Sequence, residues 1–191
     1  MSTSYDTPVV LDRHEGPYGE VVLRRHGDLL QIIANGCFLM DTSDGRSERL
    51  LVDAALDALG DRSRPHILIG GLGVGFSLAH AAADPRTSIL ETDLVTHVYE
   101  TSATYDALCL DIDNGPGWTV TDGNESLYSP DGLAACARAL TPGGVLAVWS
   151  AQPSPEFEET LRNAGFQQVR TDEIPVARGV PDVVHLAVRP G

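Results

Sequence analysis

A glycine-rich stretch between a short apolar run and an alanine-rich segment is the feature that most constrains how this chain can fold. The apolar run at residues 67–69 suits a buried parallel strand, and residues 76–83 have the composition of a helix. Glycines permit a tight turn between such elements and let the backbone approach a ligand closely. The stretch therefore predicts a strand, a turn and a helix that bind a nucleoside-type ligand through Gly70, Gly71, Gly73 and Gly75.

The patterns on either side of this turn predict an α/β protein with two parts. Residues 8–41 hold short apolar runs separated by turn residues such as Asn35-Gly36, which is typical of a small antiparallel sheet. A helix from an N-cap at Ser47 to about Leu59 follows, and strand-like runs then alternate with helical patterns. We therefore expect an N-terminal β-rich subdomain over residues 1–46. Residues 47–191 should form a Rossmann-like domain whose last two strands make an antiparallel edge.

Two apolar runs after the glycine loop end in acidic residues. Residues 105–113 form an apolar strand that ends at Asp111 and Asp113, and residues 87–94 form a second strand-like run with an acidic end. In an open α/β sheet, ligands bind outside the carboxyl ends of the strands. Asp111 is therefore a candidate site residue, although a carboxylate at such a position can also cap a helix or anchor a loop.

The charge balance narrows the classes of partner. The 191 residues carry a net charge of −14, and all 13 basic residues are arginine. This charge argues against nucleic acid, and the lack of lysine excludes lysine Schiff-base chemistry. No apolar run reaches the roughly 18 residues of a membrane span, and the first residues do not resemble a signal peptide, so we expect a cytoplasmic protein. The three cysteines should be buried thiols, and no metal site is predicted; they are Cys37, Cys109 and Cys136.

Taken in order, these features resemble the spermidine synthase family of polyamine aminopropyltransferases. The resemblance rests on the β-rich N-terminal part, the Ile-Gly-Gly-x-Gly-x-Gly loop, Tyr-Asp-x4-Asp from Tyr105 to Asp111, and Leu-x-Pro-Gly-Gly-Val-Leu. It implies an S-adenosylmethionine-dependent methyltransferase-type fold, decarboxylated S-adenosylmethionine as donor, a small-molecule amine as acceptor, and a homodimer. It also implies that Asp111 takes the proton of the attacking amine and that Asp113 and Tyr18 contact the acceptor.

One residue implied by the resemblance has two equal interpretations. Asp93 matches the family's acidic residue that contacts the adenine end of the nucleoside. It also stands where it would be the N-cap of a short helix over residues 94–100.

Departures from the family pattern leave two other hypotheses open. The family's glycine loop carries an aspartate that holds the donor's amino group, whereas the loop here contains no acid. The second hypothesis is therefore a methyltransferase that uses ordinary S-adenosylmethionine. The third is a non-catalytic protein that retains the fold.

The chain after the glycine loop is also short. One strand–helix unit, on the order of 30 residues, has no counterpart between the helix at 76–83 and the strand at 87–94. Either the unit is deleted, or a segment of the natural protein is missing from this chain. We expect the second, which predicts a break in Cα spacing between Asp84 and Glu91.

Overall fold

Two β-sheets organise the protein in the computed structural model, which describes residues 7–17, 19–83, 92–120, 123–176 and 179–191. One sheet has four strands and comes from the first 41 residues, while the other has five strands interleaved with helices. The predicted α/β architecture with an additional N-terminal antiparallel sheet is confirmed.

The N-terminal sheet is an antiparallel meander in the order β1-β2-β3-β4. A two-residue turn at Asn35-Gly36 joins β3 to β4, and both residues have positive φ, as tight hairpin turns require. In the register of the sheet, Ile32 lies opposite Leu23 on one side and Met40 on the other. The strands are β1 (Val9–Gly16), β2 (Gly19–His26), β3 (Leu29–Ala34) and β4 (Cys37–Asp41).

The second sheet has the order β5-β6-β7-β9-β8. Its first three strands are parallel, and β9 runs antiparallel to both β7 and β8, which is the predicted antiparallel edge. The strands are β5 (Ile67–Gly70), β6 (Tyr105–Leu110), β7 (Leu140–Ser150), β8 (Gln167–Ile174) and β9 (Asp182–Val188). The helices are α1 (Arg46–Leu59), α2 (Phe76–Ala82), α3 (Leu94–Glu100), α4 (Pro130–Ala139) and α5 (Pro155–Asn163), with a 3-10 turn at Asn124–Tyr128.

The inner strand β6 is buried on both faces, as its apolar run from Ala107 to Leu110 predicts. Leu108 and Leu110 pack into the cluster formed with α4 and α5, whereas Ala107 and Cys109 pack against α1. The alternation follows the two-residue period of a strand. Because β5 and β6 are parallel, their carboxyl ends lie at the same edge of the sheet, where the glycine loop follows β5 and Asp111 follows β6.

Three expectations from the sequence are wrong. The strand predicted over residues 105–113 ends at Leu110, because its pairing with both neighbouring strands stops there. The N-cap of α1 is Gly45 rather than Ser47, because the Ser47 hydroxyl donates a hydrogen bond to the Glu48 carboxylate instead of accepting one from the backbone. Cys37 is exposed, because it follows a tight turn at the end of the N-terminal sheet, whereas Cys109 and Cys136 are buried.

Three further expectations fall on residues outside the described ranges. They are the contact made by Tyr18, the break between Asp84 and Glu91, and most of the strand at residues 87–94. Within the described part of that run, Thr92 and Asp93 lie in no strand and lead directly into α3.

The helices of the described chain are short, and the longest, α1, has 14 residues. None of them has the length and apolar character needed to cross a bilayer.

Candidate active site

The glycine loop and the end of β6 meet at the carboxyl edge of the second sheet. The carbonyl oxygen of Gly70 accepts a hydrogen bond of 2.7 Å from the backbone N–H of Asp111. Gly71 has a φ of 95°, and a Cβ atom there would lie 2.7 Å from the carbonyl carbon of Asp111 and would overlap its oxygen. A residue with a side chain therefore does not fit at position 71. The loop packs directly on the backbone of the predicted catalytic residue.

The loop closes as a turn that begins α2. The backbone N–H of Gly75 donates to the carbonyl oxygen of Leu72 at 2.8 Å, and Gly75, with a φ of 90°, is the N-cap residue of the helix. Leu72 stands at the tip of the loop with 67% of its surface exposed. The predicted sequence of strand, glycine turn and helix is thus present.

The N-terminal sheet contributes Met40 to this loop. The Sδ atom of Met40 accepts a hydrogen bond of 3.2 Å from the backbone N–H of Val74. A Cβ atom on Gly73 would lie 2.9 Å from Cε of Met40 and closer still to its sulfur. The thioether therefore fills the space that a side chain at position 73 would need, and this part of the loop is apolar.

Asp111 directly follows β6, and its side chain lies against α1 and α2. The Oγ atom of Ser77 is 3.1 Å from Oδ2 of Asp111 and 3.2 Å from the backbone carbonyl oxygen of Glu48. Ser77 is 3% exposed and Glu48 is 7% exposed, while Asp111 is partly buried. Within the described ranges, no basic side chain forms a salt bridge with Asp111.

This environment gives Asp111 the proton affinity of a base that works near neutral pH. Burial is the main cause that raises the pKa of Asp111 to about 7; the charge of Glu48 also raises it, and the Ser77 hydrogen bond opposes both. A general base is most effective when its pKa lies near the working pH. The carboxyl group can therefore take up and release a proton under ordinary conditions.

Asp113 anchors the loop that follows β6. It has a φ of 53°, and its Oδ2 atom accepts hydrogen bonds from the backbone N–H of Val120 and from Nδ2 of Asn124, both at 3.0 Å. These contacts hold the loop in place next to Asp111. The contact of Asp113 with an acceptor stays a prediction.

Asp93 is the N-cap residue of α3. Its Oδ1 atom accepts a hydrogen bond of 2.8 Å from the backbone N–H of Thr96, and this bond lowers the pKa of the Asp93 carboxyl. One of the two interpretations of Asp93 is therefore seen directly. Its contact with a nucleoside stays a prediction.

A cavity of about 420 Å³ opens on the β7 side of the same edge. The loop that begins at Asp111 borders this cavity through Pro116 and Gly117, so it adjoins both the cavity and the glycine loop. Other lining residues are Tyr128, Ser150, Gln152 and Glu156. In the part of the chain that the structure describes, no group of three histidine, cysteine or acidic side chains is placed to hold a metal ion.

Three residues of this site were not identified from the sequence. Ser77 lies in an alanine-rich helix without a recognisable motif, and Glu48 resembles the acidic residue that commonly occupies a first helical turn. Met40 lies in an apolar run, so the sequence predicts only that it belongs to a strand. Their proximity to the site depends on contacts between distant parts of the chain, and such contacts cannot be predicted from a local sequence pattern.

Comparisons with known sequences concern the chain as a whole. No family model matches the chain. The polyamine aminopropyltransferase of Mycobacterium tuberculosis is 26% identical over 200 aligned residues, which cover 85% of this chain and 38% of that protein. The protein of the same name from Mycobacterium bovis matches to the same extent. The chain thus spans well under half the length of the curated relatives that it matches.

Comparisons with solved structures concern the fold. Spermidine synthase from Thermotoga maritima superposes with a TM-score of 0.67 at 15% identity, covering 94% of this chain and 72% of that one. A spermidine synthase in complex with the transition state analogue AdoDATO gives 0.65 at 14% identity, covering 94% and 73%. A Burkholderia thailandensis N1-methyltransferase with bound S-adenosylhomocysteine gives 0.53 at 18% identity, covering 78% and 80%.

At these identities the superpositions show the fold alone, which is of the S-adenosylmethionine-dependent methyltransferase type with an extra N-terminal antiparallel sheet. The sequence matches add a likeness of the chain itself. The chain is thus similar in sequence to polyamine aminopropyltransferases and similar in fold to spermidine synthases.

Proposed function

We propose that the protein transfers an alkyl group from an S-adenosylmethionine-type nucleoside to a small-molecule amine, with Asp111 as the general base. The first candidate is aminopropyl transfer from decarboxylated S-adenosylmethionine. The observation that carries the proposal is the carboxyl group of Asp111, which lies directly beside the glycine loop. Burial, together with the charge of Glu48, raises the pKa of this group to about 7. The similarity to polyamine aminopropyltransferases supports this reaction class.

The chemistry requires a base at this position. A primary amine is protonated at neutral pH and has no free electron pair for attack. Asp111 in its ionised form would accept the proton, so that the amine nitrogen bonds to the carbon next to the sulfonium. The carbon–sulfur bond breaks as the carbon–nitrogen bond forms, and its electron pair stays on sulfur, which leaves as a neutral thioether. Because the sulfonium is already a good leaving group, the protein contributes chiefly positioning and proton transfer.

The glycine loop would hold the donor through its backbone. Gly71 permits close approach at this edge of the sheet, and Asp93 at the start of α3 would contact the adenine end. A related fold has been solved with AdoDATO and another with S-adenosylhomocysteine, which supports a sulfonium nucleoside as the co-substrate class.

One observation favours a second candidate, methyl transfer from ordinary S-adenosylmethionine. The loop contains no acid, and Met40 fills the space at Gly73 that a carboxylate side chain would need. The ammonium group of the decarboxylated donor would find no counter-charge at this point, and leaving a buried ammonium unpaired is costly. Ordinary S-adenosylmethionine, in contrast, carries its own carboxylate beside the ammonium. Methyl transfer from ordinary S-adenosylmethionine is therefore the second candidate, after aminopropyl transfer.

The acceptor, the assembly and the location complete the proposal. A chain with a net charge of −14 suits a cationic amine such as a diamine. We propose a homodimer in which the N-terminal sheet lies near the interface, and a cytoplasmic location. Light scattering at micromolar concentration should give twice the mass of one chain, and a monomer would contradict the assembly.

The released nucleoside tests the function without knowledge of the acceptor. The protein is incubated with each donor and a panel of diamines, and the products are analysed by mass spectrometry. Aminopropyl transfer releases 5′-methylthioadenosine, whereas methyl transfer releases S-adenosylhomocysteine. If neither product is released and calorimetry detects no binding of either donor, both enzyme hypotheses fail and the non-catalytic hypothesis is the one that remains.

The role of Asp111 is tested separately. The Asp111→Asn variant should lose activity by about 10²- to 10⁴-fold, the usual contribution of a general base. The control is Asp57→Asn, because Asp57 is an exposed carboxylate on α1 away from this edge. Full activity of Asp111→Asn would remove Asp111 from the mechanism.

A further inference from the structure

Ser77 is the one side chain that hydrogen-bonds the carboxyl group of Asp111 among the described residues. It is the second residue of α2 and is 3% exposed, so water does not compete freely for its hydroxyl. Its Oγ atom stands 3.1 Å from Oδ2 of Asp111 and 3.2 Å from the carbonyl oxygen of Glu48 on α1. The hydroxyl thus lies between two acceptors that belong to different elements.

A hydroxyl group has one proton and cannot donate to both acceptors at once, but its oxygen can also accept a hydrogen bond. When Asp111 is ionised, the hydroxyl can donate to Oδ2. When Asp111 is protonated, the carboxyl group can donate to Oγ, and the hydroxyl can turn to donate to the carbonyl oxygen of Glu48. Both protonation states of Asp111 are then hydrogen-bonded without movement of the backbone.

We propose that Ser77 is a positioning residue for Asp111, whose hydroxyl changes its donor direction when the carboxyl group gains or loses a proton and so keeps that group in one orientation. This inference rests on the proposed function of Asp111 as a base. A base must be held toward the amine before it takes the proton and must hold the proton afterwards without rearranging. A fixed acceptor or donor would suit one of these states and leave the other unsatisfied.

The charges around Asp111 make this hydrogen bond consequential. With no described basic partner, the ionised carboxyl is stabilised chiefly by Ser77 and opposed by burial and by the Glu48 charge. On α2 itself the titratable residue is His80, which pairs with Asp53 on α1 at 2.7 Å. Among the described residues, the other titratable groups that interact with Asp111 are Glu48 on α1, Cys109 on β6 and Tyr128 on the 3-10 turn.

The test uses the full chain with Ser77→Ala, which removes one oxygen atom, and Ser77→Cys, which keeps a weak donor of similar shape. The pKa of Asp111 is measured by carbon-13 NMR of aspartate-labelled protein, with the resonance assigned by its loss in Asp111→Asn. Ser77→Ala removes a hydrogen bond from both protonation states, and the bond to the charged carboxylate is the stronger one, so the pKa should rise by about 1 unit. It should rise by less in Ser77→Cys. An unchanged value in Ser77→Ala overturns the inference.

Activity gives a second measurement. Loss of kcat in Ser77→Ala should be about fivefold at pH 7 and should shrink as the pH rises, because a weaker acid becomes ionised at higher pH. A residue that merely ties α2 to α1 would lower kcat equally at every pH, and that result would also overturn the inference. If Asp111→Asn stays active, the proposed function fails instead, and the NMR titration still reports on Ser77.

Discussion

The carbonyl group of Asp111 fills the space that a Cβ atom on Gly71 would need, because its carbon lies 2.7 Å from the position of that atom. Gly71→Ala must therefore push the loop and the end of β6 apart, and it also strains a backbone with a φ of 95°. We predict a loss of about 2–4 kcal/mol in the free energy of unfolding, from overpacking and from backbone strain together. Urea denaturation measures it.

The loop supplies its own matched control. Gly75 has a φ of 90°, close to that of Gly71, but a Cβ atom there would meet nothing within 4 Å. Gly75→Ala should therefore cost only the backbone strain, about 1–2 kcal/mol. Equal losses of unfolding free energy in Gly71→Ala and Gly75→Ala would mean that the contact with Asp111 adds nothing to the cost at position 71.

The stability of the protein should depend on pH through Asp111. Burial, with Glu48, raises its folded pKa from the ordinary 3.8 to about 7, so the folded chain binds this proton more tightly than the unfolded chain. The stabilisation is complete below about pH 4 and is lost as the pH rises through 7. Asp111→Asn carries no charge, so it should exceed the wild type in stability at pH 8, by on the order of 1–3 kcal/mol.

That advantage should shrink toward pH 5, which denaturation curves at several pH values would reveal. An advantage of the same size at every pH would show that the Asp111 charge is not the cause.

The two interpretations of Asp93 can be separated by a pair of substitutions. Asn caps helices about as well as Asp, so Asp93→Asn should retain α3, whereas Asp93→Ala should cost about 1 kcal/mol. If the carboxylate also contacts the nucleoside, Asp93→Asn should weaken donor binding in calorimetry while leaving the unfolding curve unchanged. Donor binding equal to that of the wild type would leave Asp93 as a cap alone.

Met40 and Gly73 should be energetically coupled. Met40→Ala opens space beside the loop, so the cost of Gly73→Ala should fall by about 1 kcal/mol or more in that background. Unfolding free energies of the wild type, both single variants and the double variant give the coupling. Purely additive effects would contradict the steric account of the acid-free loop.

The elements that could be predicted from the sequence are those whose patterns are local and strong. The apolar run that became β6 and the glycines after β5 are determined by their own residue types and by those of their neighbours in the chain. Asp111 could be identified because ligands of an open α/β sheet bind outside the carboxyl ends of its strands. The predicted strand ended three residues too late, at Asp113, since the pairing of β6 ends at Leu110.

The contacts that shape the site could not be predicted in this way. Ser77 and Asp111 are 34 residues apart, as are Met40 and Val74, and each pair meets only after the sheet and helices have assembled. Ser47 illustrates the local limit. It is a good N-cap residue by type, yet its hydroxyl bonds to Glu48, and a glycine begins the helix. Side-chain competition of this kind is decided by tertiary packing.

The unequal burial of the cysteines gives the molecule a natural labelling position. Cys109 and Cys136 are buried, and burial raises the pKa of each thiol to about 12, so neither forms the reactive thiolate readily. Cys37 is exposed at the start of β4, three residues before Met40. A thiol-reactive fluorophore should therefore attach to Cys37 selectively in the unmodified protein. It would report events at the glycine loop from the strand that touches it.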